Sequence, residues 1–155
     1  MLFPDLDEDA IFLSRSDESQ ILGTHTVQPF ILDGKEWLTV EHYFQAMKFE
    51  TTSSDYYEKI RQAPDAKKAR KLGATRFKKL RDDWKTIRRV VMTRAVYTRS
   101  HAHLDSKKAL LETEKHKIVE NSQYDYYWGC GRDRRGENIY GQVLMDVRQK
   151  LLSET

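Results

Sequence analysis

In the stretch EHYFQAMKF, residues 41 to 49, three side chains stand at a spacing that can do chemistry: Glu41, Gln45 and Lys48, at i, i+4 and i+7. On a helix they form a polar stripe beside an apolar one made of Val40, Tyr43, Phe44 and Met47. Glu41 and Lys48 then lie two turns apart, roughly 10.5 Å along the axis. Helical side chains lean toward the N-terminus, so Lys48 reaches back over Gln45. A gap of that size accommodates a pentose between an acid and an amine. The same spacing also describes a solvated helix face with a weak charge pair.

A second set lies in YDYYWGCGRDRRGENIYG, residues 124 to 141, where aromatic rings, glycines and arginines run into an asparagine. Asp125 and Trp128 put an acid beside a stacking surface. A glycosidic bond to a nucleobase breaks through a transition state of oxocarbenium character, which a carboxylate stabilises while an acid assists the departing base. Two carboxylates and an aromatic platform are the minimum set for that reaction. Gly129, Gly131, Gly136 and Gly141 do not make a dinucleotide fingerprint, because Arg134 stands where a third glycine belongs and no apolar strand precedes it. An anion site at the N-terminus of a helix opening near Asn138 is a reasonable reading instead, from free backbone N–H groups, with Arg132, Arg134 and Arg135 either adding to it or facing solvent. His101 and His103 lack a third ligand at a recognisable spacing, so no metal site is expected. No G-x-S-x-G elbow is present, and Cys130 has no identifiable partner.

The elements that must position these groups are legible in outline. IFLS (11 to 14) reads as a strand, and QPFILDGKEWLTV reads as a hairpin turning at Asp33-Gly34 in a type I′ turn. Thr39 caps the helix of the polar stripe, with Glu41 in its first turn. A second helix is expected near Asp55, with Glu58 completing a capping-box pattern; Pro64 opens a third and Gly73 ends it. The longest helix is expected from Asp82 to about Ser100, with Trp84, Ile87, Val91 and Ala95 facing inward. A short helix over about 106 to 113, a strand at 117 to 120 and a final helix capped by Asn138 complete the chain. The last carries Leu144, Val147 and Leu151 on its core face. The sum is α+β: one compact, helix-dominated domain with a small antiparallel sheet, spanning 11–155 after an acidic arm at 1–10.

A chain of 155 residues suits one domain, and 33% charged with 39% hydrophobic residues suits a globular one. No apolar run approaches the roughly 18 residues of a membrane span, and the acidic start is unlike a signal peptide. The single Cys130 makes a reducing cytoplasm the expected compartment. The net charge of +3 conceals an asymmetry: residues 59 to 99 hold fifteen Lys/Arg against three Asp/Glu, or +12, leaving −9 for the rest. That polarity points to an anionic partner, nucleic acid included, or to solvated helix faces.

DGKEW before EHYFQAMKF, then Trp84 in a basic helix, then YDYYWGCG and GENIYGQVLMDVR together resemble the YbiA/NADAR family, in its order and over about residues 11 to 152. The resemblance implies a compact α+β domain that hydrolyses N-glycosidic bonds without a cofactor. YbiA-like members cleave riboflavin-pathway intermediates into a pyrimidine and ribose 5-phosphate; other NADAR proteins are linked to NAD and ADP-ribose, and some remove ADP-ribose from guanine in nucleic acid. Carried over by motif, Glu41, Lys48, Trp84, Asp125, Trp128 and Asn138 line the pocket. The implied roles are Glu41 and Asp125 as acid/base and charge-stabilising carboxylates and Trp84 and Trp128 as stacking surfaces. The loop from Gly129 and Gly131 to Asn138 would hold phosphate, with Lys48 either a nucleophile toward C1′ or an electrostatic partner. The substrate expected is a small phosphorylated nucleotide-like molecule. Two departures from the family pattern stand out: Gly23-Thr24-His25 where Ser-Asn-Phe is usual, and Tyr140 where leucine is usual.

Overall fold

The computed structural model describes residues 9–155, so the expected acidic arm falls almost wholly outside the described residues. The order is β1 (Ile11–Leu13), β2 (Phe30–Leu32), β3 (Lys35–Trp37), α1 (Val40–Met47), α2 (Ser54–Arg61), α3 (Ala66–Gly73), α4 (Trp84–Ala102), α5 (Leu104–Leu111), β4 (Ile118–Glu120) and α6 (Ile139–Ser153). The chain is α+β and helix-dominated, as its pattern predicts.

The hairpin forms as expected. β2 and β3 pair antiparallel with Phe30 opposite Trp37, and Asp33 (φ 54°) and Gly34 (φ 74°) both take the left-handed conformation that a type I′ turn requires. The other ladder differs from expectation. β1 and β4 pair in parallel, Ile11 opposite Ile118, so there are two two-stranded ladders rather than one antiparallel sheet. Parallel strands need a long crossover, and here α1 to α5 supply it.

Helix α1 runs through the middle of the molecule, and all eight of its residues are buried. Thr39 caps it, its hydroxyl accepting from the His42 amide at 3.1 Å. Trp37, fully buried, meets Tyr43 and Tyr57 edge-on at 5.0 and 5.5 Å and donates its indole N–H to Leu32 O. On the other side Phe44 meets Trp84 at 5.0 Å and Trp128 at 5.2 Å. The apolar stripe is therefore split between two aromatic clusters.

Two caps fall elsewhere than predicted. Ser53 rather than Asp55 caps α2, because its hydroxyl reaches the Tyr56 amide at 3.2 Å; Glu58 turns outward to Lys35 and Arg61. Asp65 caps α3, accepting from the Lys68 amide at 2.8 Å, and Pro64 sits just outside that helix. Gly73 does end it.

Candidate active site

The polar stripe of α1 faces inward. Glu41 is 4% exposed and Gln45 6%, which excludes the solvated-face reading. A buried carboxylate is tolerated only where hydrogen bonds and charge replace its hydration. Glu41 Oε1 accepts from the Thr24 hydroxyl at 2.7 Å and Oε2 from the Gln45 amide at 2.6 Å. Burial pushes this carboxyl up, but the Gln45 amide, the neighbouring His25, the Thr24 hydroxyl and the nearby Arg15 charge hold it below its usual value. A carboxyl held below its usual value is ionised at neutral pH, which suits the charge-stabilising role expected of Glu41.

Lys48 closes the C-terminal end of α1. Its Nζ donates to Gly73 O at 3.2 Å and lies 5.8 Å from the centre of the Phe44 ring. Burial draws its ammonium down to about 8, against the pull of Glu41 and with help from Arg70.

Asp125 is a turn-forming carboxylate as well as a charge. Its Oδ1 accepts the amides of Tyr127 (3.0 Å) and Trp128 (2.7 Å), and Oδ2 accepts from Arg15 at 2.9 Å. Burial works against its ionisation, while Arg15 and the two amides keep its carboxyl below the usual value. Pattern reading missed Arg15 altogether. It is 7% exposed, and it bridges Asp125 to the fully buried Glu120, whose oxygens also take Ser122. Its backbone carbonyl accepts the Thr24 amide at 2.7 Å, which ties this cluster to Glu41. A lone basic residue just after a short strand gives no pattern signal; only the pairing of β1 with β4 brings it opposite Glu120.

Trp84 and Trp128 stand against Phe44, 7% and 8% exposed. Trp128 also packs edge-on to Tyr127, whose ring face is covered by the Arg88 guanidinium at 3.5 Å. These rings are largely core, each with a small exposed remainder.

The 129–138 loop is spent on the protein itself. The amides of Cys130, Gly131, Gly136, Glu137 and Asn138 donate to backbone carbonyls, and those of Ile139 and Tyr140 donate to Tyr127 O and Trp128 O. At the start of α6, the amides of Asn138, Ile139 and Tyr140 are therefore already paired with backbone carbonyls. Asn138 does not cap α6 with its side chain. It sits at φ 52°, its Oδ1 accepting from the Glu120 amide (2.8 Å) and its Nδ2 donating to Ile118 O (2.9 Å). The carboxamide satisfies strand groups on β4 that would otherwise be unpaired. Gly129 and Gly131 are needed for packing and conformation: a Cβ on the first would stand 2.5 Å from Glu120 Oε2, and the second has φ 73° beside the Tyr126 ring.

The two departures from the family pattern meet in space. Tyr140, fully buried, donates its hydroxyl to Leu22 O, and the fully buried Arg99 donates to Gly23 O and Leu22 O. These bonds fasten the segment carrying Thr24 and His25 onto Glu41. His101 and His103 are engaged apart from the site, with Glu154 and Pro29 O respectively. No group of three or more potential metal ligands occurs among the described residues, nor does any helix long and apolar enough to cross a membrane.

Fold and site together define a small helical α+β domain that buries an ionised carboxylate, a depressed lysine and an aromatic cluster around one central helix. The chain belongs to the NADAR domain family, which matches residues 2–152. It is 36% identical to N-glycosidase YbiA of Escherichia coli (strain K12) over 143 residues, covering 92% of this chain and 88% of that one. It is 32% identical to a riboflavin biosynthesis protein of Vibrio vulnificus over 93% of this chain, although it spans only 39% of that longer protein. The solved NMR structure of E. coli YbiA superposes with a TM-score of 0.83, covering 94% of this chain and 86% of that one.

Proposed function

We propose that this protein is an N-glycosidase that hydrolyses the bond between a ribose and a nitrogenous base in a small phosphorylated metabolite of the kind handled in riboflavin biosynthesis. The observation that carries the reading is the buried, ionised Glu41, with Lys48 two turns along the same helix and Phe44, Trp84 and Trp128 beside it. A preorganised anion in an apolar wall stabilises an oxocarbenium ion far better than water does. Asp125, kept ionised by Arg15 and by the Tyr127 and Trp128 amides, lies in the turn that carries Trp128.

With both carboxylates ionised, the acid for the leaving nitrogen is the Lys48 ammonium. At a value of about 8 it remains roughly nine-tenths protonated at pH 7 and is a far stronger acid than an ordinary lysine. The remaining tenth is neutral, about two hundred times the fraction of a free lysine. That supports a second reading in which Lys48 attacks C1′ and holds the ring-opened sugar as an imine.

Removal of ADP-ribose from guanine in nucleic acid is the alternative substrate class, with residues 59 to 99 gripping phosphates. Five of the fifteen basic side chains there are paired within the fold: Arg61 with Glu58, Lys79 with Asp82, Arg81 with Glu50 and Asp83, Arg89 with Asp146, and Arg94 with Asp33. The small metabolite is favoured by the likeness to a riboflavin biosynthesis protein.

The test is mass spectrometry of products after incubation with ribosylaminopyrimidine phosphates and, separately, with ADP-ribosylated guanine oligonucleotides. The expected result is release of free base and ribose 5-phosphate from the first, reduced ~10²–10⁴-fold in Glu41→Gln. Release from the oligonucleotide alone would overturn the substrate assignment, and near-full turnover by Glu41→Gln would overturn the role of Glu41. Borohydride added during turnover separates the two lysine roles: a ribose-sized adduct on the Lys48 peptide establishes the imine, and its absence from active enzyme leaves Lys48 as the acid.

A further inference from the structure

We infer that His25 is the general base that activates the attacking water, and that Glu41 orients it; this rests on the glycosidase reading above. His25 stands in one of the two places where the chain departs from the family pattern. It is 8% exposed, and its Nε2 is shut off from solvent with no hydrogen-bond partner, 3.6 Å from Glu41 Oε1. Its Nδ1 makes no hydrogen bond among the described residues, and Nε2 is the nitrogen that faces the carboxylate.

The charges around the ring fix which nitrogen carries the proton. Glu41 on α1 is the anion that faces it. His42 on the same helix, Arg70 on α3 and Arg15 after β1 act in the opposite sense, and with burial they keep the imidazole neutral at pH 7. A neutral ring has one N–H, and beside an ionised carboxylate that N–H belongs on Nε2. The Nδ1 lone pair is then free. Glu41 is itself a poor base: each of its oxygens already accepts a hydrogen bond and its carboxyl is held low. As His25 takes a proton, the imidazolium forms against a charge already in place, as in other carboxylate–imidazole pairs.

The step balances. A water O–H bond breaks and its proton goes to Nδ1, while the oxygen pair forms the bond to C1′. The C1′–N bond breaks, its pair stays on the leaving nitrogen, and that nitrogen takes a proton from the Lys48 ammonium. Solvent then reprotonates Lys48 and deprotonates His25. The 3.6 Å separation is slightly beyond a hydrogen bond, and such contacts tighten when substrate closes a site.

Imidazole ¹⁵N NMR on the whole protein tests the pair without a substrate. The expected spectrum has His25 as the Nε2–H tautomer at pH 7, titrating below the ordinary histidine midpoint, with the midpoint lower still in Glu41→Gln. An Nδ1–H tautomer, or a midpoint unmoved by Glu41→Gln, overturns the proposal. In turnover, kcat should fall as pH drops through that same midpoint. His25→Gln, checked for a wild-type melt, should lose ~10²–10⁴ in kcat and flatten the acid limb. A His25→Gln enzyme that keeps both rate and limb overturns the base role and leaves the glycosidase reading standing. Wild-type protein inert toward every N-ribosyl substrate overturns the glycosidase reading, and the base role with it.

Discussion

Gly73→Ala is the substitution for which helix propensity and packing give opposite answers. Gly73 is the last residue of α3, and replacing a helical glycine with alanine ordinarily gains up to about 1 kcal/mol. Here a Cβ would overlap Gln45 Oε1 outright and stand 2.7 Å from Gln45 Cδ and 2.9 Å from its Cβ. The amide end of Gln45 can swing aside, but it then releases the 2.6 Å hydrogen bond to Glu41 Oε2. A hydrogen bond to a charged group contributes roughly 1.5–3 kcal/mol. The residual contact between the two Cβ atoms forces a small shift between α1 and α3, adding about another 1 kcal/mol. Less the propensity gain, the net cost is roughly 1.5–3 kcal/mol, which at about 2–4 °C per kcal/mol lowers Tm by roughly 3–12 °C. Thermal unfolding followed by circular dichroism reads this directly. The double variant Gly73→Ala/Gln45→Ala isolates the cause: with the amide gone, the penalty of Gly73→Ala should shrink by at least about 1 kcal/mol. A Tm that rises in Gly73→Ala, or a penalty identical in both backgrounds, refutes the packing argument.

Arg15→Met should be among the most damaging single changes, because it leaves the fully buried Glu120 and the half-buried Asp125 without their shared cation; the expected loss is about 3–5 kcal/mol in urea unfolding at pH 7, and a wild-type midpoint would show that water already solvates the cluster. Trp128→Ala should cost about 3–5 kcal/mol of stability, since its ring is 8% exposed between Phe44 and Tyr127; a variant that melts like wild type and loses only ligand affinity would make the ring a binding surface and not core.

How far pattern carried differs from one element to the next. The type I′ hairpin, the Thr39 cap and the apolar stripe of α1 were all legible, because each depends on residues within a few positions of one another. The caps of α2 and α3 were misplaced by one or two residues, since several neighbouring side chains can compete for the same amide and only geometry decides. Asn138 was read as a cap from its position before a helix, yet β4 claimed its carboxamide. No spacing in the chain announces that.

The sequence by itself determined which residues could be chemical: Glu41, Lys48 and Asp125 were marked by type and by helical or turn spacing. What it left open was whether the stripe on α1 met water or protein, and therefore whether Glu41 and Lys48 were an ordinary surface pair. Burial decided that, by drawing Lys48 down to about 8 and by making Glu41 depend on Gln45, His25, Thr24 and Arg15 for its charge. Arg15 and His25 became visible only in three dimensions, brought to the site by the parallel pairing of β1 with β4 and by the bonds from Arg99 and Tyr140. The physical reason is that ionisation is set by the dielectric and charges within a few ångströms. In this fold those neighbours come from segments far apart in the chain.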